Sequence, residues 1–221
     1  MPTTTTLERE ATAAAPTLLN LAPLRATRCQ REPYPWIAAT GCLRPEALPA
    51  LARDFPRLSR PGYHPVAQFT PHGAFAALLA EIEAGALDAV VGEKLGFDAH
   101  GLPRLVTVQQ VSPARAGRPH TDSERKVATL LIYLNIGWTS PEGHIRVLGR
   151  ESLDNPVAEL SPEAGSIFAF RRTDDSWHGH TPFAGERRVV QVAWLRDAAA
   201  LERKHRRHRL GWLLKGLGLF G

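Results

Sequence analysis

The hydrophobic pattern divides the chain into two halves of different period. From residue 105 onward, short runs of branched and aromatic residues recur between turn signals: Leu105 to Val111, Val127 to Asn135, Ile145 to Leu148, Val157 to Leu160, Ser166 to Phe170 and Val189 to Leu195. Such runs read as strands. They are separated at Gly137, Pro141-Glu142-Gly143, Asp154-Asn155-Pro156, Pro162-Glu163-Ala164-Gly165 and Thr173-Asp174-Asp175, where Gly, Pro, Asn and Asp favour turns. Before residue 97 the period is helical. Leu43 to Phe55 carries a helix signal interrupted by Pro49. Phe75, Leu78, Leu79 and Ile82 recur at helical spacing behind Thr70 as a cap and Pro71 in the first turn. Leu87, Val90, Val91 and Leu95 predict a further helix that ends at Gly96. Leu18 to Tyr34, rich in Arg and Pro, reads as irregular or a short strand. A helical layer followed by many short strands predicts an α+β domain, an antiparallel sandwich or jelly roll backed by helices.

Length and composition agree with one domain carrying appendages. The 221 residues are enough for one sizeable core, and the apolar and charged fractions, 43% and 22%, are those of an ordinary soluble protein. The expected division is a disordered lead-in at 1–17, a domain at 18–200 with a helical layer at 43–96 and a strand-built core at 104–196, and a tail at 201–221. The Thr- and Ala-rich start lacks the basic, then apolar, order of a signal peptide. With no long apolar run, the expected location is the cytoplasm. Cys29 and Cys42 form no metal-binding spacing and read as free thiols.

Charge changes the picture at one end. From Arg196 onward, Arg196, Arg203, Lys204, Arg206, Arg207, Arg209 and Lys215 stand against Asp197 and Glu202, which accounts for the whole net charge of +5. The remainder is balanced, which argues against a nucleic-acid partner, since phosphate binding calls for a broad basic face. The tail then turns apolar, with Leu210, Trp212, Leu213, Leu214, Leu217, Leu219 and Phe220. A basic stretch running into an apolar one has the composition of a helix lying on an anionic membrane surface. Docking on the helical layer and a dimer contact are the competing readings, so the oligomeric state stays open.

The candidate chemistry centres on Gly117-Arg118-Pro119-His120-Thr121-Asp122. His120 and Asp122 stand two apart, and in extended backbone that spacing puts both side chains on one face. An imidazole and a carboxylate aimed at one point are two thirds of a facial triad for Fe(II), which leaves the opposite face of the metal open. Ser176-Trp177-His178-Gly179-His180-Thr181-Pro182 offers two histidines for the third position. Arg187 and Arg188 follow, and a guanidinium there is suited to grip a carboxylate. Gln109, Arg115, Arg118, Asn135 and Trp177 are further candidates for the pocket wall, and the Tyr63-His64 loop is a candidate cover.

The order His120-x-Asp122, His178-x-x-x-Pro182 and Gly185-x-Arg187 at the head of an apolar strand resembles the iron(II)- and 2-oxoglutarate-dependent oxygenases of the prolyl-4-hydroxylase-like branch, over roughly Leu105 to Leu195. The resemblance implies a double-stranded β-helix (jelly-roll) core. It also implies Fe(II) as cofactor, 2-oxoglutarate as co-substrate, and hydroxylation of a C–H bond with conversion of 2-oxoglutarate and O2 to succinate and CO2. It assigns His120, Asp122 and His178 to the metal, His178 being preferred to His180 by its distance to Pro182. Relatives that halogenate give up the carboxylate, so the retained Asp122 points to hydroxylation. The Gly-x-Arg pattern and the interval from His178 favour Arg187 for the co-substrate's far carboxylate, while the interval to Trp194 favours Arg188. Neighbours on a strand face opposite ways, so one of them points inward. Glu142-Gly143-His144-Ile145 departs from the family's Gly-Gly-acidic turn, and the second substrate stays open among small molecules, lipids, glycans and protein side chains. The alternative function is a non-enzymatic jelly-roll module binding a glycan or small ligand, which has no need of all four groups.

Overall fold

A computed structural model describes residues 17–58, 60–199 and 202. The expected lead-in and the basic tail therefore lie outside the described residues, except for Thr17 and Glu202. Among the described residues no helix is long and apolar enough to cross a membrane.

Among the described residues nine strands form two antiparallel sheets: β1 (Trp36–Ala39), β2 (His64–Pro65), β3 (Arg104–Ser112), β4 (Lys126–Tyr133), β5 (Ile145–Val147), β6 (Ala158–Leu160), β7 (Ile167–Arg171), β8 (His178–His180) and β9 (Gly185–Leu195). The larger sheet runs β1-β7-β4-β9-β3-β2, and the smaller runs β6-β5-β8. Together they are the jelly roll expected from the strand pattern. The helices α1 (Ala22–Ala26), α2 (Leu48–Asp54), α3 (Gly73–Glu83) and α4 (Asp88–Leu95) back the larger sheet.

Side-chain alternation decides what each face does. Leu130 and Ile132 of β4, Val106 and Val108 of β3, and Val190, Val192 and Trp194 of β9 share one core with Leu51, Phe55, Phe75, Leu78, Ile82, Val91 and Leu95 from the helices. Their odd-numbered partners, Leu131, Tyr133 and Val189, turn the other way and form a second core with Tyr34, Trp36, Ile145, Val147, Phe168 and Phe170 between the two sheets. Asp88 opens α4 and ties the layers together. It accepts from the indole Nε1 of Trp194 at 2.9 Å and pairs with Arg104.

Several local expectations shift. β1 and α1 lie in the stretch read as irregular or just after it, and β1 pairs with β7 from Trp36 opposite Phe170 to Ala39 opposite Ile167. α3 starts two residues later than Thr70 predicts. His72 is its N-cap, without a side-chain cap bond, and the buried carboxylate of Asp54 takes the Ala74 N–H at 2.8 Å instead. A partner from α2 thus does the work of a local cap. Gly96 adopts φ 72°, the left-handed conformation that ends α4 as expected.

Candidate metal centre

The loop from Gly117 to His120 lies alongside β8 as a partial extra strand. His120 and His178 exchange two backbone hydrogen bonds of 3.0 Å, and Gly117 O accepts from His180 N at 2.8 Å. That close approach needs glycine at both sides. A Cβ on Gly117, whose φ is +85°, would sit 2.4 Å from His180 Nδ1 and from its carbonyl oxygen, and one on Gly179 would sit 2.5 Å from Gly117 O. The pairing sets the His120 and His178 rings side by side, tilted by 52° with centroids 4.3 Å apart. Asp122 follows outside any regular strand, with its carbonyl held by Arg172 Nε at 3.1 Å.

His120, Asp122 and His178 each offer one ligand atom, and these atoms all lie within 4.8 Å of one another. Hydrogen bonds set which atoms are offered. His178 Nδ1 lies 2.9 Å from Ser176 O, and His120 Nδ1 lies 2.9 Å from Arg118 O. A carbonyl only accepts, so in both rings Nδ1 carries a proton and Nε2 is the nitrogen left to face a metal. Burial lowers the His178 pKa to about 4, against the attraction of Asp122, which leaves the ring neutral at neutral pH. Burial alone pushes the Asp122 carboxyl up. The Lys126 ammonium and hydrogen bonds from Lys126 and Thr129 outweigh it and hold the group ionised, well below the usual carboxylate range. Those bonds are Lys126 Nζ to Oδ1 at 2.7 Å and Thr129 Oγ1 to Oδ2 at 2.6 Å. Two imidazoles and one carboxylate, with O and N donors only, suit Fe(II) better than a thiolate-preferring metal.

A cavity of about 120 Å³ runs inward from this cluster. Gln109, Thr129, Leu131, Ile145, Phe170 and Gln191 wall it, and Arg187 and Tyr63 also line it. Arg187 is 1% exposed. Its Nε donates to Gly143 O at 3.0 Å and its Nη2 to the Tyr133 hydroxyl at 3.2 Å, over whose ring the guanidinium lies 5.1 Å from the centroid. Burial pushes the hydroxyls of Tyr63 and Tyr133 up, so both stay neutral, and both are hydrogen-bonded to Arg187. Among the described residues Arg187 makes no ion pair. Arg188 takes the other face of β9: it stacks over Phe55 at 5.3 Å, donates to Ala52 O at 3.0 Å and pairs with Glu186 at 2.7 Å. The geometry therefore separates the two arginines that the sequence left open.

His180 is buried beside the cavity but does not join the ligand cluster. Its Nδ1 lies 2.8 Å from Thr181 O, and burial, then Arg187, lowers its pKa to about 4. Gln109 and Tyr63 reach the cavity as anticipated. Asn135 does not; its amide bonds Pro162 O at 2.7 Å and accepts from Arg188 N at 2.6 Å, closing a turn. Trp177 does not line it either, and Arg115 and Arg118 stay at the surface. Arg172 pairs with Asp174, and Arg171 donates to the carbonyls of Leu95 and Gly96 at the end of α4. Lys126, Thr129 and Tyr133 were not foreseen. The period of two along β4 puts Thr129, Leu131 and Tyr133 on one face, and a lysine opening an apolar strand is the signal that was there to read.

Residues 106–196 match the family model of the 2OG-Fe(II) oxygenase superfamily. No curated protein matches the chain. The fold is similar to that of a Pseudomonas putida prolyl-4-hydroxylase, at TM-score 0.54 and 22% identity over 73% of this chain and 86% of that one. It is also similar to a Phytophthora capsici prolyl 4-hydroxylase (TM-score 0.52, 17% identity, 72% of this chain and 58% of that one). A third is a Trichoplax adhaerens prolyl hydroxylase in complex with a hypoxia inducible factor peptide (TM-score 0.52, 14% identity, 72% and 83%).

Proposed function

We propose that this chain, whose residues 106–196 match the 2OG-Fe(II) oxygenase superfamily model, hydroxylates a C–H bond of a second substrate while 2-oxoglutarate and O2 become succinate and CO2. One observation carries the reading: a fully buried guanidinium without an acidic partner among the described residues faces the same cavity as a His-Asp-His cluster. A buried cation left unpaired is costly, and a bound dianion would supply what it lacks.

In this reading Nε2 of His120, Nε2 of His178 and a carboxylate oxygen of Asp122 hold Fe(II). The bound metal supplies the redox chemistry that couples decarboxylation of the oxo acid to oxygen insertion. The chain's own residues bind and orient. Arg187 takes the far carboxylate of 2-oxoglutarate, with the Tyr133 and Tyr63 hydroxyls beside it, and Gly143 O holds the guanidinium in place from behind. Leu131, Ile145 and Phe170 keep that end of the cavity dry, which strengthens the ion pair. Lys126 and Thr129 fix the rotation of Asp122. The simple binding module has no use for this complete set. The fold neighbours named as prolyl hydroxylases make proline-containing peptides the first compounds to try. A reducing compartment suits a ferrous site and two free thiols, and the cytoplasm is the proposed location.

Anaerobic addition of Fe(II) and 2-oxoglutarate should give a weak visible charge-transfer band that His178→Ala abolishes. An unchanged band in that variant would remove His178 from the site, and no band in the wild type would remove the oxygenase reading.

A further inference from the structure

In the oxygenase reading the oxo acid takes the inner part of the cavity, between the ligand cluster and the buried Arg187. The side left for the second substrate is the rim, where His120 is exposed. Its class is set by what the rim presents.

Two loops lie at the C-terminal end of β3 and form that rim. Residues 113–119 continue from Ser112, and Ala116 and Gly117 line the cavity. Residues 56–58 and 60–63 lie against β3 through Gly62 N to Val111 O at 3.1 Å and Leu58 N to Gln110 Oε1 at 2.6 Å, and place Tyr63 in the cavity wall. The first loop carries Arg115 and Arg118 on either side of the lining pair, and the second carries Arg57 and Arg60. Neither contains an Asp or Glu. All four arginines are exposed, and Arg57, Arg115 and Arg118 make no side-chain hydrogen bond or ion pair among the described residues. The chain before Arg196 is neutral as a whole, so this is a local excess rather than a share of a basic surface. The third neighbouring loop, whose Leu153 packs at Gly179, balances Arg150 with Glu151 and Asp154.

We infer that the second substrate is an anion, held by Arg115 and Arg118 through a carboxylate, phosphate or sulfate group while its C–H bond faces the metal. Guanidinium forks suit all three acids, and a charge at the rim also steers diffusing anions to the cavity mouth. The inference rests on the oxygenase reading for the role of the rim, but its binding test does not depend on the metal.

The test follows the arginine side-chain Nε–H resonances of the full chain by NMR while inorganic phosphate, and separately acetate, is added at physiological ionic strength. Saturable shifts are expected at Arg115 and Arg118 and none at Arg31, an exposed arginine outside both loops. The stronger of the two ions names the acid. Arg115→Gln with Arg118→Gln should weaken binding by about tenfold or more, since a hydrogen bond to a charged group contributes about 1.5–3 kcal/mol. No saturable shift, or equal shifts at Arg31, overturns the site. Succinate release is then compared for matched acids and their amides or dephosphorylated forms, prolyl peptides included. An advantage for the acid that the double variant removes supports the inference, and neutral partners that work equally well overturn it. Saturable phosphate binding in a chain that gives no Fe(II) and 2-oxoglutarate band would sink the oxygenase reading and leave the anion site standing.

Discussion

Lys126 Nζ lies 2.7 Å from Asp122 Oδ1, with both side chains no more than 10% exposed. A buried ammonium has to be compensated, and among the described residues Asp122 is its ion-pair partner. The pair is therefore asymmetric in what its loss does. Lys126→Met should leave a buried carboxylate with Thr129 alone and destabilise the metal-free protein by about 3–5 kcal/mol. Adding Asp122→Leu should return most of that loss, because no lone charge remains. Urea unfolding of the three variants checks this, and a double variant no more stable than Lys126→Met alone would mean that the lysine acts by packing.

Arg187 and Arg188 are neighbours with opposite surroundings, and the co-substrate should tell them apart. Arg187→Ala should raise the dissociation constant of 2-oxoglutarate by tenfold or far more while Fe(II) stays bound, since truncating one side of a buried charge pair costs about 2–5 kcal/mol. Arg188→Ala should leave that constant unchanged and cost only stability, through its lost contacts with Phe55 and Ala52 O. Anaerobic titrations followed at the charge-transfer band read both, and the reverse pattern would refute the assignment.

The two arginines also mark where sequence reading stops. The strand period says that one of a neighbouring pair faces inward, but not which, because that choice depends on the register of β9 against β3 and β4. Val190 opposite Val108 and Ile132 fixes it: the even positions meet the helices and the odd ones meet the cavity. The strands were legible because their branched residues are dense, and His120, Asp122 and His178 because their order is distinctive. β1 was missed because Trp36-Ile-Ala-Ala is short and lies among prolines and arginines, so pairing with β7 rather than local preference makes it a strand. The cap of α3 was misplaced for a related reason. Thr70 is a good local signal, but Asp54, distant in sequence, satisfies the helix end.

Gly117 tests whether the loop over β8 builds the metal site. Its φ of +85° and the 2.4 Å separation from His180 leave no room for a Cβ. Gly117→Ala should push the loop away from β8, separate His120 from His178 and weaken Fe(II) binding, with a stability loss of about 1–3 kcal/mol. Competition with a chelator under anaerobic conditions measures the affinity. Wild-type affinity in this variant would show that the ligands assemble without the glycine contact.

The two cysteines should behave as different chemical groups. Cys42 is fully buried in the core that joins the helices to the larger sheet, whereas Cys29 is half-buried. Burial pushes the Cys42 thiol up from 9.0 to about 11, against a weaker opposing hydrogen bond with the backbone of Leu24. The thiolate is the reactive form, so at mildly alkaline pH a thiol reagent should modify Cys29 in the native protein and reach Cys42 only on unfolding. The same shift sets a pH dependence. Because the folded chain holds the Cys42 proton more tightly than the unfolded one, its contribution to stability is complete below 9.0 and declines as pH rises from there through about 11. Unfolding midpoints across that range should fall less steeply in Cys42→Ala than in the wild type, once the variant's constant loss from the cavity is subtracted. Parallel slopes, or modification of both thiols in the folded protein at equal rates, would place Cys42 outside the packed core.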